Sequence, residues 1–292
     1  NEENKNKFIQ NKFYRKYVYE GIGNIPDDVK DEIELHSLKI LSRCNNPEDW
    51  EQTSNKPDYE HPKILSNWKV EDSDNWFLNK TGLVYGMVQS GKTASMIALM
   101  GLAHAAGYNL FILLCGGKNS LRDQTQDRVN KAFGLTHFQP VNSNVVSITK
   151  KNDDYVDSTD GLDNGFQVYE TFANKSVIIC IKKEINQLNK LLKHFKEAKK
   201  DYRAKTIFKG FKALIIDDEA DYASQNTRKN KESSAINKVL GDIRSILTKN
   251  CYVAYTASPQ ACIAASHKNL IGYPNSFIWL LDPFRDEKTG LT

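Results

Sequence analysis

The sequence predicts an α/β fold: a parallel sheet with helices on both faces, preceded by an N-terminal helical extension. Three observations predict it. Gly86-Met87-Val88-Gln89-Ser90-Gly91-Lys92-Thr93 reads G-x-x-x-x-G-K-T, the form of a phosphate loop. From Lys80 onward, short apolar runs rich in β-branched residues alternate with helical stretches, the pattern of strands buried on both faces. One of those runs, Leu214-Ile215-Ile216, leads directly into Asp217-Asp218-Glu219-Ala220-Asp221.

Length and composition set the frame. The chain of 292 residues is long enough for one large or two modest domains. Its 40 Lys and Arg against 36 Asp and Glu leave a net charge of +4, which permits a nucleic-acid partner without demanding one. The five cysteines (Cys44, Cys115, Cys180, Cys251 and Cys262) lie far apart in no metal-ligand spacing, as expected of a reducing compartment. No apolar run reaches membrane-spanning length and no signal peptide is evident, so a cytoplasmic protein without a membrane partner is expected. The first residue is Asn1 rather than Met, which suggests a trimmed chain.

Taken in order, residues 1–78 form the expected helical extension. Phe8, Phe13, Tyr14, Tyr17 and Tyr19 interleave with Lys12, Arg15 and Lys16. That texture suits a packed helix face, and it also suits a stacking surface for bases. Pro26-Asp27-Asp28 opens a helix to about Ser42, because proline fits a first turn and early acids complement the helix dipole. Residues 43–75 are dense in Asn, Pro, Asp and Ser and read as loop.

Residues 79–292 carry the alternation. Leu83-Val84-Tyr85 reads as a strand, and Thr93 to Ala106 as a buried helix whose N-terminus faces the phosphates. Asn109 to Cys115 is a strand. Ser120-x-x-Asp123 resembles a capping box for a helix from Leu121 to about Lys131. Val145 to Ile148 and Val177 to Ile181 are strands around an Asp-rich insertion at 151–175, which misses calcium-loop spacing and reads as solvated. An amphipathic helix follows through Ile185, Leu188, Leu191, Leu192 and Phe195. Ala213 to Asp217 is a strand, Ile236 to Leu247 a helix, and Cys251 to Thr256 a strand. The phosphate loop, the acidic run and Thr256-Ala257-Ser258 all follow strands, where ligands of parallel sheets sit.

The chemistry explains the residue types. A loop around a triphosphate needs glycines where side chains would block it, free backbone N–H groups, a cation and a metal-binding hydroxyl. Gly86, Gln89, Ser90 and Gly91 build that loop, Lys92 meets the β- and γ-phosphates, and Thr93 holds Mg²⁺. Hydrolysis of the phosphoanhydride needs the metal and a carboxylate that orients water. Asp218 is expected to hold the metal, and Glu219 to position the water.

D-E-A-D after a strand, with a phosphate loop upstream and T-A-S-P downstream, resembles the first RecA-type lobe of superfamily-two helicases. A closer resemblance is to the Z-one (endonuclease Z) domain family. It is carried by Gly82 to Thr93, Ala105-Ala106-Gly107-Tyr108, Leu121-Arg122-Asp123-Gln124-Thr125, Asp217 to Asp221 and Tyr255 to Ala261, across about residues 76–292. The resemblance implies a RecA-like ATPase lobe using ATP and Mg²⁺, with a second lobe expected beyond residue 292. It further implies nucleic-acid contacts by Arg122, Gln124, Thr125 and Arg128, with DNA favoured over RNA. Coupling of hydrolysis to movement falls to Thr256, Ala257 and Ser258. Protein partners in a restriction or anti-phage defence complex complete the expectation.

The name of the family says endonuclease, yet no nuclease constellation is visible. Glu197-Ala198-Lys199 lies in a charged helix tail, and Pro57-Asp58 is followed by Glu60 and Lys63 at the wrong spacing. A nucleotide-gated switch that never translocates remains the main alternative to a motor, with a nuclease component third.

Overall fold

The computed structural model describes residues 14–48, 50, 79–86, 91–135, 144–152, 154–155, 175–221, 235–264 and 274–281. Every strand pairing is parallel, in one seven-stranded sheet of order β3-β4-β2-β5-β6-β1-β7. The strands are β1 Thr81–Gly86, β2 Leu110–Cys115, β3 Val145–Ser147, β4 Ser176–Lys182, β5 Ala213–Asp217, β6 Asn250–Thr256 and β7 Phe277–Leu281. The helices are a short π-helix Tyr14–Tyr19, then α1 Asp27–Leu41, α2 Lys92–Ala105, α3 Asn119–Ala132, α4 Ile185–Lys200, α5 Tyr202–Lys209, α6 Ala235–Ile246 and α7 Pro259–Ala264. The predicted α/β class, a parallel sheet with helices on both faces, is the observed one.

The strands bury both faces, and alternate residues serve two cores. Val84, Leu113, Ile216 and Val253 point to one side, where the π-helix, α1, α2 and α3 pack. Leu83, Ile112, Ile215 and Ala254 point to the other, covered by α4, α5 and α6. Helix α2 is buried continuously from Ser95 to Ala103, which explains its nearly uniform apolar sequence. The strongly amphipathic α4 shows the opposite pattern: Leu188, Leu191, Leu192 and Phe195 face inward and the lysines Lys193, Lys196, Lys199 and Lys200 outward.

Helix α1 spans Asp27–Leu41, one residue short of the expected end at Ser42. Its Ile33 and Ile40 share a core with Tyr14, Val18 and the buried face of α2. Polar contacts fasten the same segment to the sheet. The Lys80 ammonium donates to the Cys44 carbonyl at 3.0 Å, and the Tyr108 hydroxyl donates to the Asn45 carbonyl at 2.6 Å. At the far edge, the Trp279 indole donates to His36 Nδ1 at 3.3 Å, and the Arg43 guanidinium lies 4.5 Å from the Trp279 ring centre. Residues 14–48 thus complete the sheet's hydrophobic cover on that face.

Three elements lie beyond those the sequence predicts: α5, α7 and β7. Strand β7 is a sheet edge with Ile278 and Leu280 exposed, although Phe277-Ile278-Trp279-Leu280-Leu281 is as uniformly apolar as an inner strand. The anticipated capping box at Ser120 and Asp123 does not form. Helix α3 begins at Asn119 behind Lys118 with no side-chain cap, and Asp123 turns to Arg122 and to the Asn152 amide. All five cysteines are buried thiols outside any disulfide. Among the described residues, no helix is long and apolar enough to cross a membrane.

Truncating the α1 face tests this shared core. Ile40→Ala should lower stability by about 2 to 5 kcal/mol, the usual cost of emptying a fully buried aliphatic site. Urea unfolding followed by tryptophan fluorescence should stay a single transition, shifted to lower denaturant. A biphasic curve with only the first phase shifted would mean that α1 folds apart from the sheet.

Candidate functional site

Strands β5, β6 and β1 are neighbours, so their carboxyl ends place three loops at one pole of the sheet. Gly86 closes β1. Gln89 and Ser90 lie outside the described residues. Gly91 resumes the chain at φ +70°, a left-handed conformation that glycine takes without a Cβ penalty, and precedes α2. Lys92 and Thr93 begin that helix, both partly buried. The Lys92 ammonium donates to the Gly86 carbonyl at 3.0 Å, drawing the two ends of the loop together. Burial lowers the Lys92 pKa, while the negative charges of Asp218, Asp221 and Glu219 oppose that shift. The lysine and the acids are therefore within electrostatic reach of one another.

The acidic run divides by burial. Asp217 is fully buried at the end of β5, with its carboxylate 2.9 Å from the Lys183 ammonium and accepting a short hydrogen bond from the Tyr252 hydroxyl. The lysine contact is ionic, off the angle of a hydrogen bond. Asp218 follows at the surface boundary, its amide donating to the Leu114 carbonyl at 3.0 Å. Burial, then the Glu219 charge, raises its pKa from the usual 3.8 to about 6, with Lys183 pulling it down. Glu219 is exposed, at φ +52°. Its Oε2 rests against Gly116 at the end of β2, in space that a Cβ on Gly116 would occupy.

The third loop joins the second. Thr256 Oγ1 donates to Asp221 Oδ1 at 2.6 Å and accepts from the Ser258 amide at 2.8 Å. The Ala220 amide donates to the Tyr255 carbonyl at 2.9 Å. Ala257 and Ser258 continue outward, the serine exposed. Behind the site, the Tyr255 hydroxyl lies 3.2 Å from Ser95 Oγ on α2, so that helix and β6 are linked beneath it.

One expectation needs correction. Arg122 is 1% exposed, and its guanidinium donates to the Lys150 carbonyl at 2.8 Å and pairs with Asp123. A side chain so committed holds α3 to the strands and is unavailable to a phosphate backbone. Thr125 is buried as well, whereas Gln124 and Arg128 are exposed. Helix periodicity explains the split: 122, 125, 126 and 129 share the inward face. Of Trp76, Phe77 and Tyr85, which lie near enough in sequence to stack on a base, the first two fall outside the described residues, as do Pro57 and Asp58, and Tyr85 is half-buried on β1.

Two residues at this pole carry no motif signal. Lys183 follows an apolar strand among charged neighbours and reads as solvated, yet it is buried beneath Asp217 and Glu219. Gly116 reads as the first residue of a turn after β2; its adjacency to β5 is the only clue to what it makes room for.

With this geometry in place, the chain can be compared with known proteins. No protein-family model matches it, and no curated protein does. Among solved structures, the Hef helicase domain of Pyrococcus furiosus is similar over 70% of this chain and 35% of its own, at 15% identity and a TM-score of 0.41. A DEAD box protein from Methanococcus jannaschii is similar over 70% of this chain and 46% of its own, at 16% identity and a TM-score of 0.39. The chain spans less than half the length of either. The fold assignment rests on the sheet order and the packed helices described above.

Two outcomes follow from the site. A methyl group at Gly116 should displace the flexible Glu219 carboxylate rather than disturb the fold. Gly116→Ala is expected to keep its thermal midpoint and nucleotide affinity while nucleoside triphosphate turnover falls about tenfold or more, within the range typical for a displaced general base. Unchanged turnover would show that Glu219 does not act from that position. For Asp218, the folded state holds its proton more tightly than the unfolded state does. That stabilising preference is complete below about pH 4 and is lost as pH rises through about 6. Asp218→Asn should therefore raise stability at pH 8 by on the order of 1 to 2 kcal/mol without metal or nucleotide, and the gain should vanish near pH 4. Thermal unfolding across that range checks it.

Proposed function

We propose that this chain is the ATP-binding and hydrolysing lobe of a helicase-like motor that depends on nucleic acid, DNA in preference to RNA. The observation that carries the reading is the convergence at one pole: Lys92 facing Asp218, Glu219 and Asp221, with Thr256 hydrogen-bonded to Asp221. A bare phosphate-binding protein needs the lysine. It does not need a desolvated carboxylate, an exposed glutamate on a strained turn, and a third loop tied to the acids.

The residues fit the substrate and the ion. Lys92 would exchange the Gly86 carbonyl for phosphate oxygens as a point charge. Thr93 and Asp218 offer the hard oxygen donors that magnesium prefers, and one or two carboxylates suffice because the ion keeps waters and phosphate oxygens. Its contribution when bound is to offset phosphate charge. Asp218 is crowded by Glu219 and Asp217, so a cation would relieve like-charge repulsion there. Glu219 would orient the attacking water. Thr256, through Asp221, would sense the acidic turn and pass its state to Ala257, Ser258 and α7.

Finer parts of the reading rest on the family resemblance. These are membership of the Z-one family, a place in a bacterial restriction or anti-phage defence complex with protein partners, and phosphate-backbone contacts by the exposed Gln124 and Arg128. The choice of ATP rests there too. Asn55-Lys56-Pro57-Asp58 has the N-K-x-D form of a guanine-reading motif, but it precedes the phosphate loop and lies outside the described residues. GTP therefore belongs in the assay.

Steady-state turnover of ATP and GTP by the folded chain, with and without single-stranded and duplex DNA and RNA, tests the proposal. ATP turnover should rise with DNA. Lys92→Ala should weaken nucleotide binding at least tenfold, whereas Glu219→Gln should keep binding and lose about 10² to 10⁴ in rate. Turnover indifferent to any nucleic acid would favour the nucleotide-gated switch, and unchanged nucleotide affinity in Lys92→Ala would remove the phosphate-loop assignment.

A further inference from the structure

Lys183 is 2% exposed and its ammonium is completely enclosed. A lysine in such a place is costly unless its charge is paired and its protons are bound. Here the Nζ lies 2.9 Å from Asp217 Oδ1 and donates to the Glu219 backbone carbonyl at 2.6 Å. The residue sits just past β4, two strands away from β5 in the sheet, with β2 between them. Its amide donates to the Cys115 carbonyl at the end of β2, and on the other side of β2 the Asp218 amide donates to Leu114. The main chain of Lys183 is thus fixed to β2, and its side chain reaches past that strand to the acidic turn.

What it grips there is a strained bend. Glu219 is one of two non-glycine residues with positive φ among those described. Holding such a conformation costs on the order of 1 kcal/mol or more, and it persists only where surrounding contacts over-determine it. The strongest contact available is a charge-assisted hydrogen bond to the carbonyl of that same residue. Asp217 supplies the counter-charge that keeps the ammonium in place, and Tyr252 on β6 holds Asp217 from the far side.

We propose that Lys183 is the positioning residue of the hydrolytic turn: clamped by Asp217, it holds the Glu219 carbonyl and so fixes the left-handed bend that carries the Glu219 carboxylate beside Gly116. This rests on the reading of Glu219 as the water-orienting group. It adds a residue that belongs to none of the three loop motifs and whose side chain is enclosed within the protein. A buried lysine that served only to pair Asp217 would stabilise the fold equally well whatever Glu219 does.

A mutant cycle in the full chain separates the two. Lys183→Met alone strands a buried carboxylate and is expected to unfold readily, so the working variant is Lys183→Met with Asp217→Asn, which leaves no buried charge unpaired. It should fold and bind Mg·ATP within about threefold of the wild type. Its kcat should fall ten- to a hundredfold, whereas the same pair placed in Glu219→Gln should lower kcat little below that of Glu219→Gln alone, because groups acting as a unit are not additive. Lys183→Gln with Asp217→Asn keeps a neutral donor, should recover part of the lost rate, and gives the same cycle if the methionine variant does not fold. Independent of turnover, amide exchange across residues 218–221 should speed up at least tenfold in the methionine pair. Wild-type kcat in a folded pair, losses that multiply with Glu219→Gln, or unchanged exchange would each overturn the proposal. Absence of turnover in the wild type itself would remove the hydrolytic reading on which it rests, a result distinct from these three.

Discussion

The parallel pairing of β5, β6 and β1 is the constraint on which the site depends. Asp217 stands in register with Ala254, and Tyr85 with Thr256, so the three chains leave the sheet within a residue or two of the same level. In a parallel sheet all carboxyl ends lie on one edge, and the loops that leave it meet without any contact between them having been selected first. The hydrogen bond from Thr256 to Asp221 and the pull of three carboxylates on Lys92 are consequences of that register. A slip of one residue in β5 would exchange its side chains between the two cores and carry Asp218 into the place of Asp217.

Electrostatic tension at this pole is stored in the native state. Asp218 carries an ionisable carboxyl in a crowded, largely desolvated position, Glu219 adopts a backbone conformation that its side chain disfavours, and Lys92 is partly buried among its counter-charges. Each feature costs stability, and the two electrostatic ones, at Asp218 and Lys92, would be relieved by a divalent cation and a polyanion bound together. The scaffold can bear that cost because the surrounding strands are uniformly buried and the helices close both faces. Stability comes from apolar burial away from the site, while the site holds the strain.

The N-terminal segment contributes to the same economy of structure. Through Ile33, Ile40, Tyr14 and Val18 it covers the outer face of α2, the helix that Lys92 and Thr93 begin, and through Trp279 it reaches the edge strand β7. Ser37 Oγ donates to the Ser95 carbonyl at 3.3 Å, one turn from the start of α2. A movement of α2 would therefore be felt by α1 directly.

Much of this was legible in the sequence, and the reason is that it is local. Gly91 and the helix that Lys92 and Thr93 begin are marked by their own residue types, and the strand–helix alternation by the periods of the two backbone forms; both are written within a few residues. Burial on both faces leaves a uniform apolar run, so β2, β4, β5 and β6 could be placed within a residue or so; β7 carries the same mark although alternate residues of this edge strand are exposed, so an apolar run alone does not tell an inner strand from an edge. Tertiary structure alone decided the rest. Arg122 looked like a surface cation, but the inward face of α3 captures it, because helix phase is set by what the helix packs against. Lys183 and Gly116 acquire their places through strand order, and that order is not the order of the chain: β4, β2 and β5 become neighbours only after two crossovers. Which lysine holds a carbonyl and which meets solvent follows from that adjacency, which no window of sequence contains.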